Sequence, residues 1–290
     1  MTTDIETGAL AVPPAHTQRS PTYFAWRRFA ANKAAVIGGI VLAIIILAAI
    51  FAPLFTKSSP DAQLYLTQSL AFPSAEFWFG VDDLGRDFFT RIVYGARVSL
   101  LIGFAAATCS LLIGIPIGAI AGYFGGRIDF SVVPPLLAAM LLGALAGGGF
   151  FTIIIVASLF GWFGVCLLVR AQVKSFREKE FVRAAQALGA SPWYILRRHV
   201  IPNSLSPIIV GFVLSVPGAM MLEASLSFLG IGVAPPTPSW GQMINVGINF
   251  MFFYWHMAVF PTAALAITVL ATTLFGDGLR DALDPTLKGR

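Results

Sequence analysis

Charge is what this chain has least of. Asp, Glu, Lys and Arg make up 11% of its 290 residues, where a soluble globular domain carries about 25%. Mean hydropathy is +0.80. A water-solvated globule is excluded, and a lipid bilayer becomes the expected solvent. Cysteine is scarce as well. Cys109 and Cys166 both fall inside apolar runs, where they read as small buried side chains rather than a disulfide or a metal pair. Histidine is limited to His16, His199 and His256, scattered without metal-ligand spacing. No metal or cofactor is therefore expected. There is no Gly-x4-Gly-Lys-Ser/Thr phosphate loop and no catalytic cluster. The chain does not read as an enzyme, and any ATP it depends on must be hydrolysed by a partner.

What is present is a series of long uncharged runs. Residues 34–55 hold no charge, nor do 98–124 or 130–169. After Val200, Glu223 is the single acidic or basic residue before Asp277. About 20 apolar residues cross a bilayer as a helix. Spans are expected near 34–55, 98–122, 131–147, 150–169, 206–229 and 254–275, which makes an all-α membrane protein of about six transmembrane helices. Residues 1–33 form a leader, polar and disordered over 1–22, with no signal-peptide exit before the first span. Residues 56–97 form an outer segment ending in an amphipathic helix over 79–100. There Leu84, Phe88, Phe89, Ile92 and Val93 recur at helical spacing, and Asp87 and Arg91 stand four apart on another face. Residues 98–276 form the main transmembrane domain and 277–290 a tail. Within it, 230–253 is an uncharged outer loop whose Pro235, Pro236 and Pro238 prevent regular helix.

Orientation follows from basic residues. With the N-terminus inside, fifteen Lys and Arg fall on the cytoplasmic side and four outside. Both termini are expected in the cytoplasm, and the net charge of +5 requires no nucleic-acid partner. In the second span Gly114, Gly118 and Gly122 form a small-xxx-small stripe suited to close helix packing in lipid. Glu223 is an ionisable residue inside a span, hence a functional candidate. It can serve a translocation path or a contact between helices.

The loop 170–203 stands apart from its greasy surroundings. Residues 170–188 favour helix, with Ala184 and Ala185 near its end. Gly189 suits a left-handed closing position. Ser191 and Pro192 then cap and begin a second helix over 192–201 that Pro202 stops. The result is a rigid elbow with small residues (Ala184, Ala185, Ala190) at its tip and basic flanks, shaped to plug a groove on another protein.

This elbow resembles the EAA loop of ABC importer permeases: Glu-Ala-Ala, three residues, Gly, nine residues, then Ile-x-Leu-Pro. Ala184, Ala185, Gly189, Ile201 and Pro202 carry the match, with Arg183 where the pattern has Glu and His199 where it has Ile. The stretches "FGVDDLGRDFFTRIVYGARVSL", "AGYFGG", "EASLSFLGIGVAPPTPSWGQM" and "GDGLRDALDP" resemble C-type permease subunits of dipeptide/oligopeptide (and nickel) transporters. The region 127–150 departs, lacking the family's Met-Arg…Asp…Phe-Pro pattern. The resemblance implies a type I ABC importer permease in a bacterial inner membrane. It implies a second permease subunit, two cytoplasmic ATPases gripping the elbow at Arg183, Ala184, Ala185, Gly189, Ala190 and Pro202, and an extracytoplasmic solute-binding protein delivering peptide. A permease for nickel or another small solute shares the scaffold, and a divergent, non-transporting scaffold subunit is the alternative that the unusual 127–150 region invites.

Overall fold

A bilayer core offers the backbone no hydrogen-bond partners, so each spanning run must close its own bonds as helix. The computed structural model describes residues 21–56, 58–125 and 135–284, and is helical with no strand among them. The expected disordered leader and the end of the tail fall largely outside those residues. In chain order the helices are α1 (Pro21–Ala31), α2 (Lys33–Ile50), α3 (Ala52–Phe55), α4 (Phe88–Phe124), α5 (Pro135–Leu145) and α6 (Phe150–Arg177). Then come α7 (Glu180–Ala187), α8 (Pro192–Ile195), a π-helical turn (Leu196–Val200), α9 (Ile201–Asn203), α10 (Leu205–Phe228), α11 (Trp240–Ile248) and α12 (His256–Leu283). Among the described residues α2, α4, α6, α10 and α12 are long and apolar enough to cross a membrane.

The packing register shows how they run. A side chain added at Gly114 would meet Val165, at Gly118 Val169 and at Gly122 Val173. The numbers rise together, so α4 and α6 are parallel. Gly38 faces Ala271 while Gly278 faces Ala35, so α2 and α12 are antiparallel. Gly103 faces Met220 while Ser99 reaches Glu223, which makes α10 antiparallel to α4. The starts of α2 and α10 and the ends of α4, α6 and α12 therefore share one end of the bundle, with the elbow.

Two parallel neighbours require the chain between them to travel back. That return includes α5. Its described part has 11 residues, about 16 Å of helix. The expected span over 131–147 is described as helix from Pro135 to Leu145, with 126–134 outside the described residues. Gly148 packs on the backbone of Ile231 and Gly232, joining the turn before α6 to the far-end loop.

Several boundaries differ from expectation. The first span breaks at Phe51, where Pro53 sits in the first turn of α3 and the Arg97 guanidinium bonds the Ala49 and Ile50 carbonyls that end α2. No separate amphipathic helix occupies 79–100. Residues 79–87 form a turn in which Gly80 and Gly85 take positive φ, and helix begins at Phe88 and runs 37 residues without interruption. That is about 56 Å, long enough to cross the bilayer and also build the far end. The outer loop 230–253 is only half loop: past its prolines, Ser239 caps α11 by accepting from the Gln242 N–H.

At the far end a cluster of charge is buried. Arg91 is 2% exposed and lies 3.4 Å from Asp82, which also takes the Arg86 Nε–H at 2.6 Å. Arg91 further donates to the Pro60 carbonyl at 3.0 Å and sits 3.7 Å from Asp61. The expected Asp87–Arg91 pairing is absent, because Asp87 instead caps α4 by accepting from the Thr90 N–H at 2.8 Å. Burial, and then the neighbouring Asp82 charge, push the Asp83 carboxyl above its ordinary range.

Candidate functional site

The elbow is built from a buried root and an exposed tip. Its expected first helix is two: α6 ends at Arg177, and α7 starts afresh after Glu178 and Lys179. The break turns the chain so that Val182 points back into the bundle. Val182, Ile195, Leu196 and Val200 are buried with Tyr123 of α4, Val169 and Val173 of α6, and Ile208 of α10. Apolar contact alone would leave the angle loose, and polar ties fix it. Gln186 Nε2 donates to the Tyr123 hydroxyl at 3.1 Å, and the Arg177 guanidinium lies 5.7 Å from the centre of the same ring.

The tip is closed by local backbone chemistry. Gly189 sits at φ +81. Its N–H bonds the Gln186 carbonyl while the Ala190 N–H bonds the Ala185 carbonyl, a Schellman closure that satisfies the end of α7. Ser191 Oγ then accepts from the Tyr194 N–H at 3.3 Å and Pro192 opens α8. Pro202 does not stop this second helix. Having no N–H of its own, it follows a π-helical turn in which the Ile201 N–H reaches back five residues to the Leu196 carbonyl. Helix resumes through α9 into α10, so the elbow is continuous with a span.

Of the residues singled out in the sequence, Arg183, Ala184 and Gly189 are exposed at the tip, and nothing stands within 4 Å of where a Gly189 side chain would project. Ala185 and Ala190 instead pack partly against the root, and Pro202 lies on the far strut. Sequence reasoning missed the largest exposed groups. Leu188 is 89% exposed and Trp193 64% exposed, and Phe181 and Tyr194 are exposed on the same elbow. Exposed apolar groups of this size are candidates for contact with another protein or with lipid. The root residues were also missed, although Ile195, Leu196 and Val200 recur at helical spacing.

Glu223 lies far from the elbow, in the last two turns of α10, and is 0% exposed. Its Oε1 accepts from Ser227 Oγ at 2.8 Å and its Oε2 from Ser99 Oγ at 3.4 Å. Ser99 in turn accepts from the Trp240 N–H at 3.2 Å, and Trp240 Nε1 donates to the Ile92 carbonyl at 3.0 Å. One carboxyl thereby joins α10, α4 and the start of α11. The glycine stripe occupies a third place. Side chains at Gly114, Gly118 and Gly122 would approach the backbone oxygens of Trp162, Cys166 and Arg170 to 2.8, 2.6 and 2.7 Å. Nothing larger than glycine fits there without moving α6. The three groups of residues are thus not one site. They are a lever tip, a seam between helices and a buried clasp.

Comparison with known proteins agrees with this arrangement. Residues 114–289 match the family described as binding-protein-dependent transport system inner membrane component, and residues 20–73 match the N-terminal TM domain of oligopeptide transport permease C. The chain is 42% identical over 270 residues to the oligopeptide transport system permease protein OppC of Bacillus subtilis, covering 90% of this chain and 88% of that protein. It is 41% identical over 279 residues to the dipeptide transport system permease protein DppC of the same organism, covering 93% and 87%. It is 36% identical over 279 residues to the glutathione transport system permease protein GsiD of Pectobacterium atrosepticum, covering 93% of each. A multi-pass helical bundle carrying this elbow and these relationships over nearly its whole length belongs to the binding-protein-dependent transport system inner membrane components, as an ABC importer permease of the dipeptide/oligopeptide C type.

Proposed function

We propose that this chain is one of two permease subunits forming the membrane path of an ATP-driven peptide importer, and that ATPase subunits move it through the elbow. The observation that carries the reading is the elbow's construction. Its buried root is fixed to α4, α6 and α10 at once, while its tip offers Leu188 and Trp193 to a partner. A displacement applied at the tip is transmitted to three spans as a rigid movement, because packed interiors shift between discrete arrangements and do not deform smoothly. The chain lacks a phosphate loop, so hydrolysis belongs to the partner. An extracytoplasmic binding protein supplies the peptide at the far end.

Charge distribution supports the orientation. Among the described residues eleven Lys and Arg lie at the elbow end and three at the far end. The excess of basic residues supports a cytoplasmic elbow end, and with it cytoplasmic termini. Glu223 acts in this reading as a clasp between helices, not as a group that meets the solute. The departure of residues 127–150 from the family's sequence pattern favours one other reading, a subunit that assembles with the ATPases without transporting.

The test is purification of the tagged chain from its native membrane in a mild detergent, paired with uptake of a labelled dipeptide by the same cells. Recovery of ATPase subunits and a second permease, lost with uptake in Gly189→Val or Leu188→Asp, is the expected result. A chain recovered alone would overturn the proposal. Intact assembly without uptake in the wild type would establish the non-transporting subunit instead.

A further inference from the structure

The first described helix takes no part in the elbow or the clasp. α1 reads PTYFAWRRFAA. It is joined to α2 through Asn32, whose side chain caps the next helix by accepting from the Ala35 N–H at 3.2 Å. Phe29 packs edge-on against Phe275 of α12 at 5.5 Å, and Arg28 donates to the Asp284 carbonyl at 3.2 Å. The helix is therefore held across the elbow end of α12. Its remaining surface combines two chemistries. Trp26 is 70% exposed and Phe24 is exposed. Arg27 and Lys33 are exposed too, with no carboxylate within ion-pair distance among the described residues.

Where α1 lies in the membrane follows from α12. Trp255 opens that helix at the far end, in an aromatic group with Phe260 and stacked Phe79, the kind of belt that sits at a membrane–water boundary. From Trp255 to Phe275 the helix rises about 30 Å, one hydrocarbon thickness. The Phe29–Phe275 contact thus puts α1 at the opposite boundary, at headgroup depth. An exposed tryptophan beside unpaired basic groups at that depth fits lipid better than protein or water. The indole suits the interface, and the cations suit anionic headgroups.

We infer that α1 is an interfacial anchor that binds anionic phospholipid through Arg27 and Lys33, with Trp26 seated among the headgroups of the elbow-side leaflet. This lies outside the transport reading and does not depend on it.

The probe is phosphatidylglycerol. The full chain would be placed in nanodiscs of phosphatidylcholine containing a minority of phosphatidylglycerol, and the headgroups retained after delipidating washes would be counted by native mass spectrometry. Wild-type chain is expected to retain phosphatidylglycerol preferentially, and R27Q/K33Q to weaken that preference about fivefold for each charge removed. The charge-keeping R27K/K33R should retain it, which separates lost charge from lost fold. Bromine-labelled lipid should quench the part of the emission that W26F removes. Equal retention in R27Q/K33Q and wild type would overturn the inference. So would a Trp26 signal quenched by aqueous iodide but not by bromolipid, which would mean that this face meets water or a protein.

Discussion

The two ends of this bundle solve opposite problems with the same few polar residues. At the far end Arg91, Arg86 and Asp82 are buried and paired, and Trp240 is sealed against α4. At the elbow end Arg183, Arg197 and Arg198 face outward, and the large apolar groups Leu188 and Trp193 stand exposed. The far end is a cap in which Arg86, Arg91 and Asp82 find their partners within the chain. The elbow end leaves large apolar groups uncovered, as the proposed docking of a second protein requires. The difference teaches that exposure and burial of similar residues report on where partners are, not on how polar a region is.

That contrast can be broken by substitution, most severely at the cap. Arg91→Ala would strand Asp82 with part of its compensation gone. Removing one partner of a buried pair costs about 3–5 kcal/mol, so the melting transition of the purified chain should fall sharply or the protein should fail to accumulate. A variant of wild-type stability would mean that the cap is not held by its charges. Between the ends, Gly118→Val should force α6 away from α4. Overpacking of this kind costs about 1–3 kcal/mol, read as a lowered melting temperature, and Gly164→Ala, with open space around it, serves as the mild control.

Glu223→Gln tests whether the clasp works by charge or by shape. An amide keeps an acceptor for Ser227 or Ser99, so stability should change by less than about 1.5 kcal/mol and peptide uptake should persist. Loss of uptake with stability intact would give the carboxylate a direct part in transport. Leu188→Ser makes the complementary point at the tip. Surface changes of this type stay within about 0.5 kcal/mol, so the melt should not move while ATPase recovery drops.

The smallest effect concerns pH. The Asp83 carboxyl is raised by burial and by Asp82, so the folded chain holds that proton more tightly than the unfolded one. Its contribution is favourable in acid and is lost as pH rises through the raised folded value. Asp83→Asn should therefore flatten the loss of stability on going from mildly acidic to neutral pH. A melt profile parallel to wild type would show that Asp83 is not coupled to folding.

Much of this was legible from residues alone because the bilayer simplifies the problem. Uncharged runs had to be helices, and five of the six expected spans have counterparts in α2, α4, α6, α10 and α12. The Gly189–Ser191–Pro192 closure was equally readable, since capping is decided by neighbours a few residues apart. Readings failed where a distant group intervened. Asp87 and Arg91 have helical spacing, yet Asp82, brought up by the Gly80 and Gly85 turn, captures the arginine. Pro202 should end a helix, yet a π-helical turn before it relieves the clash. The 127–150 region departs from the family's pattern, but only the parallel packing of α4 and α6 makes a return passage that includes α5 necessary.

By itself, then, the sequence determined what is local: which runs cross, where helices are capped, which end collects basic charge. Tertiary structure decided which groups share a place. Glu223 meets Ser99 across more than a hundred residues, and Val182 joins Tyr123 at the root of the elbow, because helix packing, not chain spacing, sets those distances.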